Sequence, residues 1–206
     1  EDGQAFEKDS VLAKVKGPVS TLLSGERVIL NLLQHLTGIA SSTQDLIRRL
    51  DDPNIKVVDT RKTLPGLRMI QKYAVRCGGG FNHRFRLDDG VIIKDNHIAA
   101  AEGIAKAVEM VRKQQGHMIK IEIEVETINQ VQQAVDAEVD IIMLDNQTPE
   151  QVKQLRKYIP KSIIVELSGG INPDNIAGYR KCGADVISVG WITHSVKACD
   201  ISFYLD

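Results

Sequence analysis

The sequence predicts an α/β protein built on a parallel sheet, and three observations predict it. Short runs rich in Val and Ile recur from residue 56 to residue 190. Helix-forming stretches separate them, so that strand and helix alternate about six times. Nearly every run then ends in charged, amide or glycine residues. Alternation of this kind argues for parallel strands joined by helical crossovers. An open doubly wound sheet and a barrel both satisfy it. No GxGxxG opens the first helix, which counts against a dinucleotide-binding fold.

The elements follow in order. Residues 10–16 alternate in part and end at Gly17-Pro18, the pattern of a strand and then a turn. Residues 24–50 carry Val28, Leu32, Leu36 and Ile39 at three- and four-residue spacing, which predicts a helix. Ser24 is its expected N-cap, and Asp51-Asp52-Pro53 its stop. Gly38 weakens the helix interior but permits close packing. The strand runs are 56–60, 91–94, 119–125, 140–145, 162–168 and 185–190. Thr127, Thr148 before Pro149, and Asn172 before Pro173 are expected helix caps. Gly116 and Gly183 suit helix C-termini. The three glycines at 78–80 suggest a flexible loop.

Composition narrows the function. The 206 residues suit one domain of moderate size, or one domain and part of another. Twenty-six basic residues meet twenty-seven acidic ones, a formal net charge of −1. No global field therefore points to nucleic acid or membrane, and any anion site must be local. Aromatics are 4%, too few for a base-stacking surface. Cys77, Cys182 and Cys199 are odd in number and lack metal-ligand spacing, so they read as reduced thiols in a cytoplasmic protein. No apolar run approaches the ~18 residues of a membrane span, and no signal-peptide pattern opens the chain. The chain starts EDG, without Met, which leads us to expect a natural N-terminus further upstream.

The chemistry gathers at the strand ends, the active face of α/β barrels and open α/β sheets. The cations there are Arg61, Lys62, His83, Arg84 and Lys94; strand-like alternation aims Arg86 elsewhere. Left unpaired in a cleft, such a cluster would cost several kcal/mol. It implies an anionic ligand, and arginine forks suit carboxylate and phosphate. A solvated basic rim is the alternative for any one of them. Five arriving from two strand ends and their loop weigh against it.

The anions are Glu124 and Asp145, at the ends of neighbouring strands ~4.8 Å apart. Two such carboxylates suit the hydroxyls of a sugar or a hard cation such as Mg²⁺. Glu122 and Glu126 share the parity of Glu124, and periodicity alone does not decide among them. Ser168, Gly169 and Gly170 after the fifth run, with Gly190 and His194 after the sixth, suggest a phosphate cradle, a site barrels often place in their last two loops. Together these features describe a barrel enzyme binding a phosphorylated substrate, with Mg²⁺, beside a second and strongly anionic small molecule.

Several long motifs carry a resemblance. ERVILNLLQHLTGIAS at 26–41, DTRKTLPGLR at 59–68, GGGFNHRFRLDDGVIIKDNH at 78–97, MLDN at 143–146, ELSGGI at 166–171 and GADVISVG at 183–190 stand in one order along nearly the whole chain. They resemble those of the quinolinate phosphoribosyltransferases, the carboxylating nicotinate-nucleotide pyrophosphorylases of NAD synthesis. The resemblance implies an open six-stranded α/β barrel preceded by part of an N-terminal α/β sandwich domain. On that basis residues 1–23 are the remnant of the sandwich, 24–50 a linking helix, 51–195 the barrel and 196–206 a segment returning toward the sandwich.

It also implies transfer of phosphoribose from phosphoribosyl pyrophosphate to quinolinate, with Mg²⁺, giving nicotinate mononucleotide, pyrophosphate and CO₂. Arg61, His83, Arg84 and Lys94 match the quinolinate-binding residues. Lys62 falls between quinolinate and the pyrophosphate side, and Thr63 continues that turn. Glu124 and Asp145 match the carboxylates around ribose and metal. Ser168, Gly169, Gly170, Gly190 and His194 match the 5′-phosphate site. Arg27 matches an arginine donated into the neighbouring subunit's site, which implies a homodimer. Family members carry several dozen more residues ahead of this start. A nicotinate phosphoribosyltransferase is the alternative, disfavoured by the full cation set. A non-catalytic binding relative and an unrelated phosphate-binding barrel are the others.

Overall fold

The computed structural model describes residues 1–205. Its elements are α1 (Val19–Leu50), β1 (Lys56–Val58), α2 (Arg68–Cys77), β2 (Val91–Ile93), α3 (Asp95–Ala100), α4 (Ile104–Gln114) and β3 (Ile121–Val125). There follow α5 (Ile128–Asp136), β4 (Ile141–Asp145), α6 (Pro149–Leu155), β5 (Ile164–Ser168), β6 (Val186–Ser188) and α7 (Trp191–His194). Short 3₁₀ helices lie at Arg156–Tyr158 and Ile176–Tyr179. Among the described residues no helix is long and apolar enough to cross a membrane.

All six strands belong to one parallel sheet ordered β1-β6-β5-β4-β3-β2. Each strand from β2 onward lies beside its successor, and the last lies beside the first. That is the order of a barrel left open between β1 and β2. Among the described residues a single isolated bridge, Val58 to Phe81, stands at this seam. Each expected strand run holds a strand, and the runs overshoot at their ends. Ile163, for example, donates its N–H to Pro160 O, closing a turn at 3.1 Å before β5 begins.

Register assigns the two faces. Ile123, Ile142 and Val165 lie side by side, and so do Leu144 and Leu167. These residues are buried and form the apolar core beneath the helices. On the other face Glu124, Met143 and Glu166 lie side by side, with Glu122 one pleat below and Asp145 beside Ser168 above. The polar strand residues therefore line the barrel interior and its mouth.

The helices follow local chemistry. Thr127 and Thr148 each accept the backbone N–H three residues on, while Gln130 and Gln151 reach back, two complete capping boxes. Asn172 is not a helix cap. Its side chain accepts the Asp174 N–H at 2.8 Å, an Asx turn leading to the 3₁₀ helix.

Three expectations are corrected. Residues 10–16 form no strand and are exposed, because no partner strand lies beside them. The first helix starts at Val19, with Pro18 in the N-cap position. Ser24 instead donates its hydroxyl to Ser20 O at 2.7 Å, inside the helix. The three glycines are a packed joint and not a flexible loop. A methyl group at Gly78 would come within 2.3 Å of Ala40 O, and one at Gly80 within 2.7 Å of Thr43. Gly38 does serve close packing: a Cβ there would lie 2.3 Å from Lys197 O, where the C-terminal segment crosses α1. Cys199 N–H to Gln34 O at 2.9 Å and Gln34 Nε2 to Ile201 O at 2.8 Å fasten that crossing.

Candidate active site at the barrel mouth

The mouth is built from every strand end. After β1 the chain enters Asp59-Thr60-Arg61-Lys62-Thr63, where Thr60 Oγ1 accepts the Lys62 N–H at 3.0 Å. Thr193 Oγ1 donates to Lys62 O at 2.8 Å, tying this loop to α7. Lys62 lies against Gly190: a Cβ there would sit 3.1 Å from Lys62 Cδ and 3.2 Å from His194 Nε2. The first and last loops thus bring Lys62, Gly190 and His194 together. His194 Nδ1 meets Ser195 Oγ at 2.6 Å. Thr63 Oγ1 is occupied by Arg68 Nε at 3.0 Å, and Arg68 also reaches Phe85 O at 3.1 Å.

Arg61 and Arg84 are the unfinished part of the site. Each has a buried Nε without a hydrogen-bond partner among the described residues. Arg84 Nη1 holds Gly90 O at 2.6 Å. Burial and then the nearby Arg61 charge draw the Arg84 pKa down. Two partly buried guanidiniums in mutual repulsion favour an anion beside them. Lys94, half-exposed, pairs with Glu124. Arg86 points to solvent and pairs with Asp88 at 3.0 Å, outside the mouth.

His83 lies deeper. Its Nε2 faces Glu166 at 3.3 Å and Glu122 at 3.5 Å, both glutamates being 4% exposed. Its Nδ1 accepts the Arg84 N–H at 2.8 Å. Burial alone would lower the His83 pKa, but the two carboxylates outweigh it and push it up to about 10. The Arg84 N–H facing Nδ1 opposes that rise, and the paired carboxylates outweigh it. These three side chains are of metal-ligating type and lie within 4.8 Å of one another. Whether the ring is neutral with Nδ1 accepting the Arg84 N–H or fully protonated, Nε2 carries a proton, so it faces the carboxylates as a donor and not as a metal ligand. Burial raises the Glu122 carboxyl, and the His83 hydrogen bond pulls it back.

Glu124 and Asp145 occupy the ends of adjacent strands, both partly exposed at the mouth. Asn146 Nδ2 donates to Asp145 Oδ2 at 2.5 Å. Two carboxylates from neighbouring strands, open to the mouth, match the hard oxygen donors that Mg²⁺ takes alongside substrate oxygens. Gly169 has φ +93°, and a Cβ on it would lie 2.2 Å from Asn146 Oδ1. Gly170 has φ +61° and open space where its Cβ would be. Asn172 and Asn175 both donate to Gly170 O, at 3.2 and 2.9 Å. No α-helix follows this turn, so a helix dipole adds nothing at Gly170.

Arg27 lies apart, on the exposed N-terminal half of α1, with Glu26 at 3.6 Å as its ion partner. Three participants were not singled out from the sequence: Glu166, Asp59 and Lys72. The glutamate announces itself only as a charge inside an otherwise apolar strand run. The fully buried Asp59–Lys72 pair has no sequence signature. A hollow of about 370 Å³ between β2, α3 and α4 touches none of the mouth residues.

Fold and mouth together define an open α/β barrel whose mouth gathers Arg61, Arg84 and Lys94 beside a pair of carboxylates. Comparison with known proteins is specific. The family model described as quinolinate phosphoribosyl transferase, C-terminal domain, matches residues 39–204, and the N-terminal domain model matches residues 1–37. The chain belongs to the quinolinate phosphoribosyl transferase family. It is 51% identical over 201 residues to the "Probable nicotinate-nucleotide pyrophosphorylase [carboxylating]" of Bacillus subtilis, covering 98% of this chain and 70% of the relative. It is 40% identical over 209 residues to the nicotinate-nucleotide pyrophosphorylase [carboxylating] of Mycobacterium leprae, covering 100% and 73%. Among solved structures, NadC from Streptococcus pyogenes superposes with a TM-score of 0.94 at 44% identity, covering all of this chain and 74% of that one.

Proposed function

We propose that this barrel transfers phosphoribose from phosphoribosyl pyrophosphate to quinolinate and releases the 2-carboxylate as CO₂. The products are nicotinate mononucleotide, pyrophosphate and CO₂, in NAD synthesis. The observation that carries this reading is the pair of half-buried guanidiniums, Arg61 and Arg84, whose buried Nε groups lack partners among the described residues. A pyridine dicarboxylate supplies the two anionic groups they need. Lys94 closes the same pocket, and His83, held between two glutamates, supports it from below.

The donor lies across the rest of the mouth. Ser168, Gly169, Gly170, Gly190 and His194 receive its 5′-phosphate. Glu124 and Asp145 hold the ribose hydroxyls and, with them, Mg²⁺. Bound there, Mg²⁺ would neutralise pyrophosphate oxygens and favour their departure. Lys62, between the two substrates, faces the leaving group's charge with its ammonium.

The chemistry follows from that placement. The C–O bond to pyrophosphate breaks and its electron pair leaves with the oxygen. Positive charge developing at the anomeric carbon is stabilised by the fixed carboxylates of Glu124 and Asp145. The pyridine nitrogen forms the new bond. The ring is now cationic, so the C2–carboxylate bond breaks with its electron pair held at C2, which then takes a proton. Holding both reactants in line supplies much of the rate gain. The three free thiols play no part.

We further propose a cytoplasmic homodimer in which Arg27 of one subunit completes the other's mouth, with residues 51–195 as the catalytic unit. One assay tests the main reading. The protein is incubated with quinolinate, phosphoribosyl pyrophosphate and Mg²⁺, and CO₂ and nicotinate mononucleotide are followed together. Equal amounts of both are expected. Neither product, with no quinolinate binding by calorimetry, would overturn it.

A further inference from the structure

At the seam the segment 81–84 stands where a barrel strand would be. Phe81 N–H donates to Val57 O at 2.9 Å, and Asp59 N–H donates to Phe81 O at 3.2 Å. A continuing parallel ladder would next send the His83 N–H to the Asp59 carbonyl. It goes instead to the Asp59 side chain, Oδ1, at 2.9 Å. The other backbone group of His83 is held the same way, its carbonyl accepting Lys72 Nζ at 2.9 Å. Asp59 and Lys72 pair with each other, and both side chains are fully buried. Asn82 Nδ2 closes the set, donating to Asp59 Oδ2 at 2.6 Å and to Lys72 O at 2.8 Å. Lys72 Nζ also sits 5.0 Å from the Phe85 ring centre.

Both backbone groups of His83 and the Asn82 side-chain amide thus run to one buried ion pair, while the Phe85 N–H goes to Asp89 at 2.8 Å and its carbonyl to Arg68. The pair comes from β1's end and α2, and the residues it holds, Asn82 and His83, lead directly into Arg84. A buried pair of this kind adds little net stability over apolar side chains of the same shape. What an apolar pair would lack is the means to satisfy both backbone groups of His83 while the chain leaves the ladder. We infer that Asp59 and Lys72 are positioning residues. By replacing the ladder bonds at His83, they turn the chain into the mouth and set Arg84 opposite Arg61 for the acceptor's two carboxylates. The identity of that acceptor rests on the proposed function; the placement itself does not.

The test is a double substitution, Asp59→Asn with Lys72→Met, which removes both charges and leaves a carbonyl for the His83 N–H. Quinolinate Kd by calorimetry is expected to rise at least about tenfold, while the KM for phosphoribosyl pyrophosphate stays within about twofold. Unchanged quinolinate binding in the folded variant, or equal weakening of both substrates, overturns the inference. If the double variant does not fold, Asn82→Ala decides: weaker quinolinate binding is expected, and wild-type binding overturns the idea. The ¹⁵N resonances of the His83 ring in ligand-free protein test placement without any substrate. They are expected to move in either variant. Fixed resonances overturn the positioning role even where quinolinate proves not to be the acceptor.

Discussion

Arg84→Ala removes a guanidinium that burial and Arg61 both disfavour in the free protein. Free protein therefore loses little by the change, while the complex loses a charge-assisted contact of ~1.5–3 kcal/mol. The expected outcome is a quinolinate KM raised roughly tenfold to a hundredfold by that same increment, read from initial rates. His83 makes a second residue-scale prediction. Its folded pKa, pushed up from 6.5 to about 10, gives the imidazolium form more stability folded than unfolded. That contribution is complete below the unfolded value of 6.5 and fades as pH rises through about 10. Melting temperatures across that window are expected to fall more steeply for the parent than for His83→Gln. Parallel curves would mean that the ring stays neutral, held so by the Arg84 N–H.

The turn after β5 separates two effects that glycine combines. Gly169→Ala meets both a positive φ and a Cβ contact of 2.2 Å with Asn146, the residue that steadies Asp145. Gly170→Ala meets a positive φ alone. Left-handed backbone costs a β-carbon ~1–2 kcal/mol, and forced overlap adds ~1–3 kcal/mol. Denaturant unfolding is expected to show Gly169→Ala as clearly the more destabilised. At this scale the sequence was informative wherever structure is local. Thr127 and Thr148 cap their helices with residues three positions away, and the strand runs carry their own periodicity. Where partners lie far apart along the chain it was not. Residues 10–16 have a strand's alternation but nothing beside them. The triple glycine looked flexible because Ala40 and Thr43, which fill the space around it, lie on a different helix. At the site, the exposed strand-end residues were legible as chemistry. Asp59 with Lys72, and Glu166 beneath His83, became visible only once the barrel had closed around them.

For the whole molecule, the proposed donation of Arg27 to a partner's mouth predicts complementation between subunits. Arg27→Ala and Arg84→Ala variants, each strongly impaired alone at quinolinate concentrations well below the raised KM, are expected to recover activity there when mixed and allowed to exchange. A random mixture of dimers retains about a quarter of the native sites. No recovery, with exchange verified by mass, would place Arg27 outside the partner's mouth. The missing pairing between β1 and β2 has a consequence of its own. In a fully closed hoop, strand number and stagger fix the girth. A hoop cut at one point has no such constraint, and its span depends on how the cut ends are clasped. Here the clasp is Phe81 and the segment that carries Arg84, so the ring's span is set beside Arg84. Deuterium exchange is expected to be faster in β2, at the cut, than in β4, which is flanked on both sides. Equal protection in the two strands would mean that the ring's width is held by the outer helices instead.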